Sequence, residues 1–192
     1  EREFKEIAKY FHKKLRCVLT KGDEPIGNGI GPGLEMTDVI SVLDPKKTGP
    51  KDLEEKALFL AGNILEMTGR AKNSSGKDIA RKILYSGKAF EKFRQIIKAQ
   101  GGSLGRLKEA KFKADIISGR SGKVAEINNK KIVEMARILG CPADKFSGIY
   151  IYFHVGDKVG KRDKLMTIYS ETKARLREAL EFHKEKMPVA VK

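Results

Sequence analysis

The residues with the clearest chemical potential lie in one stretch, Glu24-Pro-Ile-Gly-Asn-Gly-Ile-Gly-Pro-Gly-Leu-Glu35, where glycines recur at every second position and a helical pattern follows. Glycine lets the backbone turn tightly or approach a ligand, and the free amides that open a helix can face an anion. A phosphate cradle is the first chemistry such a loop suggests. Neither phosphate fingerprint fits, because no Lys-Ser/Thr pair follows the last glycine and the spacing is not that of a dinucleotide turn. The residues by themselves therefore favour a rigid turn that caps the helix behind it.

The remaining reactive side chains form no catalytic set. His12, His154 and His183 fall on three different elements without a partner at metal spacing, and read as solvated or locally bonded imidazoles. Cys17 and Cys141 are far apart and lack metal-ligand spacing, which excludes a disulfide framework or zinc site and leaves two small, reduced, buried residues. The acidic pairs Asp23-Glu24 and Glu54-Glu55 sit beside a turn and at a helix start, where carboxylates complement a helix dipole or stay solvated. No catalytic and no substrate-binding residue is assigned.

The elements that must hold the loop follow from periodicity. Phe4, Ile7, Ala8 and Phe11 mark an amphipathic core helix that starts within three residues of the first residue, which suggests a truncated chain. Arg16 to Thr20 reads as a short buried strand, and the glycine loop joins it to a helix with Met36, Val39, Ile40 and Leu43 on its inner face. Asp52 is the expected N-cap of a long helix with Leu53, Ala57, Leu60, Ala61 and Ile64 along one side; Leu58 and Leu65 widen that face, so deep burial is expected. Two more helices carry Ile79, Ile83 and Leu84, then Ala89, Phe90, Phe93, Ile96 and Ile97. Beyond a linker at Ser103 to Leu107, strand-like runs appear at Phe112–Ile117, Lys123–Ile127, Ile149–His154 and Leu165–Tyr169. Helices with Ile132, Met135, Ala136, Leu139 and with Leu176, Ala179, Leu180, His183 interrupt them.

Composition bounds the partners. The chain has 192 residues, a formal charge of +15 and a pI near 9.8. Its lysines and arginines are interleaved with acids, and no aromatic residues cluster among them as a stacking platform would require, which argues against a nucleic-acid partner. No apolar run suits a membrane span, and the first residues do not resemble a signal peptide, so a cytoplasmic location is expected.

Gly148 to Val159, followed by Arg162-Asp-Lys-Leu165, resembles the hairpin of biotinyl/lipoyl-like hammerhead folds, but without the exposed lysine of a swinging-arm carrier. Arg162 occupies a position where that pattern has glycine; either Arg162 adopts φ > 0, strained by about 1 kcal/mol, or Gly160 takes the bend. Taken with the glycine loop, and with Gly87 to Arg94 and Ala99-Gln-Gly-Gly102, this block resembles the thymidine/pyrimidine-nucleoside phosphorylase family, nearest to its archaeal AMP phosphorylase branch. The resemblance implies an α/β fold: residues 1–102 as the helix-rich C-terminal part of the central phosphorylase domain, and 103–192 as a small, hammerhead-like C-terminal domain. It implies a C-terminal portion, inactive alone, of an enzyme in which phosphate attacks the anomeric carbon of a nucleotide or nucleoside. The family's substrate-binding segments lie upstream of Glu1. A homo-oligomer is implied for the full-length protein. The alternatives are a thymidine/pyrimidine-nucleoside phosphorylase, or a basic nucleic-acid-binding module without enzymatic activity. The family's loop also lends carbonyls to a K⁺ or Na⁺ site, which carries over to the carbonyls of Ile26 and Gly29 and the carboxylate of Asp38. Asp38 stands in place of the family's glutamate, and Lys21 where an aspartate is usual.

Overall fold

The computed structural model describes residues 1–72, 74–105 and 108–192. Five helices occupy the first half: α1 (Arg2–Tyr10), α2 (Pro32–Leu43), α3 (Lys51–Met67), α4 (Gly76–Tyr85) and α5 (Lys88–Ala99), with a two-residue strand β1 (Gly29–Ile30) inside the glycine loop. The second half alternates β2 (Phe112–Ile117), β3 (Gly122–Ile127), α6 (Asn129–Leu139), β4 (Gly148–Ile151), β5 (Lys158–Val159), β6 (Lys164–Ser170), α7 (Lys173–Lys186) and β7 (Val189–Val191). The architecture is the expected α/β one. Two antiparallel sheets form, one ordered β1-β4-β6-β2 and one β5-β3-β7.

The main core belongs to the second half. Ile149, Ile151, Met166 and Ile168 point from β4 and β6 onto Ile132, Met135 and Leu139 of α6 and Ala179 of α7, all at 1% exposure or less. Alternate residues of a strand face opposite sides, so these isoleucines fix Tyr150, Thr167 and Tyr169 on the other face. Asn128 caps α6 by accepting the Lys131 amide, and Thr172 caps α7 by accepting that of Arg175. A smaller core of Leu58, Ala80 and Leu84 ties α3 to α4. There the backbones meet at Gly62 and Gly76: a Cβ on Gly76 would lie 2.2 Å from the Gly62 carbonyl oxygen.

Several expectations for the first half fail, for one common reason. No residue of α1 is buried; Phe4 and Phe11 stay exposed, so α1 is not a core helix here. Arg16 to Thr20 forms no strand, and Leu19 is 91% exposed. A strand needs a hydrogen-bonding neighbour, and none of the described strands lies alongside; Arg16 reaches α3 instead, donating to Asn63 and Glu66 at 3.1 and 3.0 Å. The α3 helix buries only Leu58 and Gly62 and leaves Leu60 and Ile64 exposed. Apolar periodicity marks a face that wants cover, and among the described residues nothing covers Leu60 and Ile64. On α2 the apolar face is partly buried, with Met36 at its exposed edge, and the helix's one buried residue is Asp38.

The hairpin at Val155–Val159 turns as expected but does not join neighbouring strands: β4 lies in the first sheet, while β5 pairs with β3 in the second. The chain thus passes from one sheet to the other at this turn. Arg162 takes φ 78°, so the strained alternative holds, and Gly160 keeps ordinary dihedrals. Hydrogen bonds hold the strained residue: the Arg162 amide donates to the Ser118 carbonyl at 2.9 Å, and the Asp163 carbonyl accepts from the Ser118 amide at 2.8 Å. Of the expected linker, residues 103–105 carry no helix or strand, and residues 106 and 107 lie outside the described residues.

Candidate functional site: the glycine loop

The loop is clamped between three elements, and its backbone amides do most of the holding. Asp38, midway along α2, turns its buried carboxylate back onto the loop, where Oδ2 accepts the amides of Asn28 and Gly29, each at 2.7 Å. Asp52, from the first turn of α3, accepts the Gly27 amide at 2.8 Å. It is not the N-cap, a position taken by Pro50. Glu35 reaches back to accept the Gly31 amide at 3.0 Å. Four successive or near-successive amides therefore serve carboxylates of the chain itself. The phosphate cradle has no free donors at these positions, because a buried amide bonded to a carboxylate is not available to a phosphate oxygen.

Glycine is required here by space as well as by dihedral. Gly27 has φ 74°, and a Cβ on it would stand 2.9 Å from Asp38 Oδ2. Gly31 has φ 123°, and a Cβ there would press to 2.5 Å from the Ser147 carbonyl oxygen. Side chains are given up so that α2, α3 and the second-half sheet can approach the same few residues.

The third wall comes from the hairpin. β1 pairs with β4 in register Gly29↔Tyr150 and Ile30↔Ile149, and the Ile151 amide donates to the Asn28 carbonyl at 2.7 Å. Asn28 donates from Nδ2 to the Tyr150 hydroxyl at 3.2 Å, and its Oδ1 lies 3.0 Å from His154 Nε2. The other ring nitrogen, Nδ1, lies 3.2 Å from Glu24 Oε2, which also accepts the Val155 amide at 3.0 Å. Asp23 is exposed, whereas Glu24 and His154 were missed as partners. They are separated by 130 residues, so only the pairing of β1 with β4 brings them together. His12 and His183 have no part in the site; burial holds the His183 imidazole below its ordinary value. Cys17 and Cys141 are free thiols, each partly buried, and burial pushes Cys141 up to about 11.

Burial raises the Asp38 carboxyl above the usual carboxylate range, against the two loop amides that favour its charged form; the charges of Asp52 and Glu35 add to the rise. A cluster of carboxylates facing a loop is electrostatically suited to a cation. Ile26, Gly29 and Asp38 lie in one loop–helix unit, in which Asp38 Oδ2 and the Asn28 carbonyl are already engaged. Among the described residues Asp38 Oδ1 has no hydrogen-bond partner, and no three His, Cys, Asp or Glu side chains gather around one point. One carboxylate oxygen with neutral carbonyls suits a weakly charged ion such as K⁺ or Na⁺, and is too little for a divalent one.

Comparison with known proteins gives a consistent family signal. Residues 123–190 match the pyrimidine nucleoside phosphorylase C-terminal domain. An AMP phosphorylase of Methanococcus aeolicus is 41% identical over 193 residues, covering 99% of this chain and 38% of its own length. The AMP phosphorylase of Methanocaldococcus jannaschii is 40% identical over 193 residues, again 99% of this chain and 38% of its own length. A candidate thymidine phosphorylase of Legionella pneumophila strain Corby is 38% identical over 191 residues, 100% of this chain and 37% of its own. The chain thus spans little more than a third of these relatives, corresponding to their C-terminal part.

Proposed function

We propose, starting from the relation of this chain to the thymidine/pyrimidine-nucleoside phosphorylase family over its whole length, that it forms the C-terminal part of a phosphorolytic pentosyltransferase of the AMP phosphorylase kind. In that reaction a phosphate oxygen bonds to the anomeric carbon while the glycosidic bond breaks. The base leaves with the bonding pair and takes up a proton, so AMP and phosphate give adenine and ribose 1,5-bisphosphate. No residue of this chain is given a role in that transfer. Its part is architectural: residues 1–102 complete the central domain, residues 103–192 are the C-terminal domain, and the clamped loop joins them. The observation that carries this reading is the identity near 40% with AMP phosphorylases across both halves, loop included.

A thymidine or pyrimidine-nucleoside substrate is the second reading, favoured by the Legionella relative. A cytoplasmic homo-oligomer is part of this reading for the longer protein. No helix among the described residues is long and apolar enough to cross a membrane. The carbonyls of Ile26 and Gly29 with Asp38 supply part of a K⁺ or Na⁺ site. A bound ion there would offset the buried charge of Asp38 and stiffen the loop.

The test is phosphate-dependent release of adenine from AMP, and of base from thymidine and uridine, by the 192-residue chain and by the longer natural protein that contains it. The longer protein is expected to act on AMP and the chain alone on none of them. Base release by the chain alone would overturn the architectural role, and failure of the longer protein on all three would overturn the activity. For the ion, K⁺ is expected to raise the melting temperature of the longer protein and not that of its Asp38→Ala variant. Equal stabilisation of both would remove Asp38 from the site.

A further inference from the structure

The face of the four-stranded sheet that does not carry the isoleucine core faces α2 across a cavity of about 700 Å³. That volume falls in the range of small-molecule sites, roughly 300–1,000 Å³. Its sheet wall is made of Tyr150, Tyr152 and Tyr169. The solvated face of such a sheet ordinarily carries polar residues, because apolar and polar side chains alternate between the two faces, so three tyrosines facing one hollow mark this face as unusual. Two of the rings are held in place. Tyr150 accepts from Asn28, Tyr152 shares a 3.0 Å hydrogen bond with the buried Thr167 hydroxyl, and their centroids lie 5.1 Å apart at an interplanar angle of 60°. Thr167 in turn donates to Asp115 at 2.6 Å, and Lys164 pairs with Asp115 at 2.7 Å. Rings fixed through their hydroxyls can meet a planar ligand without first losing rotational freedom.

The opposite wall is α2, with Thr37 turned to the cavity, and Lys47 and Lys108 stand at the lining. Among the described residues neither lysine has an ion-pair partner, whereas Glu109 is engaged by Lys113 and Asp44 by the Lys46 amide. Asp44 and Glu109 share the lining, so the pointer to an anion is not a net positive wall but the two lysines that have no such partner beside the aromatic surface.

We propose that this cavity is a binding site for a planar aromatic anion, the ring lying against the tyrosines and the negative group meeting Lys47 and Lys108. The site is built from both halves of the chain, and it does not depend on the activity proposed above. The probe is naphthalene-1-sulfonate, titrated with the 192-residue chain and followed by the anisotropy of its own fluorescence. Saturable one-site binding is expected. Ethanesulfonate, with charge alone, should not compete at tenfold excess, and neutral naphthalene-1-methanol should bind more weakly. Thr37→Trp fills the cavity from α2 and should abolish binding, while Lys47→Gln with Lys108→Gln should weaken it by about tenfold, the sum of two exposed charge interactions. Because α3 also exposes apolar surface, Ile64→Ser is the control and should leave binding unchanged. Absence of saturable binding, binding untouched by Thr37→Trp, or loss in Ile64→Ser would each overturn the assignment.

Discussion

Replacing Asp38 with alanine strips one carboxylate oxygen from two backbone amides, those of Asn28 and Gly29, at 2.7 Å each. A hydrogen bond to a charged group contributes about 1.5–3 kcal/mol, and a buried donor left unpaired costs about as much. The two bonds share one oxygen, and burial of the charge already works against the carboxylate, so the sum belongs at the low end, about 3 kcal/mol. For a chain of this size that is a fall in melting temperature of about 6–12 °C. Asp38→Asn keeps a carbonyl oxygen for the same amides and should cost about 1 kcal/mol or less at pH 7. Titration separates the two effects. The Asp38 carboxyl is raised in the folded chain, so the folded state holds its proton more tightly than the unfolded one. Its contribution to stability is full below the ordinary carboxylate value and declines as pH rises through the folded one. The gap in unfolding free energy between wild type and Asp38→Asn should therefore narrow from pH 4 to pH 7. Urea unfolding followed by circular dichroism at both pH values measures it. A cost under 1 kcal/mol for Asp38→Ala, or a gap that widens with pH, would refute the account of the loop.

Gly31→Ala should destabilise by more than 2 kcal/mol, since it adds a left-handed-region penalty of about 1–2 kcal/mol to a Cβ contact with the Ser147 carbonyl; a melting temperature within 2 °C of wild type would contradict this. Leu58→Ala, at 3% exposure, should cost about 2–5 kcal/mol, whereas Ile64→Ala, at 57%, should stay within about 0.5 kcal/mol in this chain, as thermal unfolding of the two will show. Cys141, pushed up to about 11, is thiolate in roughly one molecule in a thousand at pH 8, so it should resist alkylation until the chain unfolds; mass spectrometry after iodoacetamide treatment reads this directly. Limited proteolysis should cut first within residues 103–107 and release a compact C-terminal piece, and first cuts inside α5 or β2 would move the proposed boundary.

Local chemistry was legible wherever a residue's own neighbours in sequence settle it. The 3.6-residue period placed α2, α6 and α7, strand-like apolar runs bounded by glycine-containing turns placed β2, β3 and β6, and the glycine spacing marked a loop that could not carry side chains. Asp38 stands out in the sequence only through the family resemblance; that its carboxylate turns back onto the loop amides is a finding of the tertiary structure. What the sequence could not determine was whether an apolar stripe finds cover and which distant groups meet. α1 and α3 have the periodicity of buried helices and stay largely exposed, since periodicity records a preference for burial and not the presence of a neighbour. Asp52 looked like a cap and became a ligand for Gly27. His154 looked solitary and meets Glu24 and Asn28, because a two-residue strand from the first half pairs with β4 in the second. Backbone pairing carries no side-chain signature when one partner is glycine, so tertiary contact alone decided that the loop's amides would be spent on the chain's own carboxylates and its edge on the sheet.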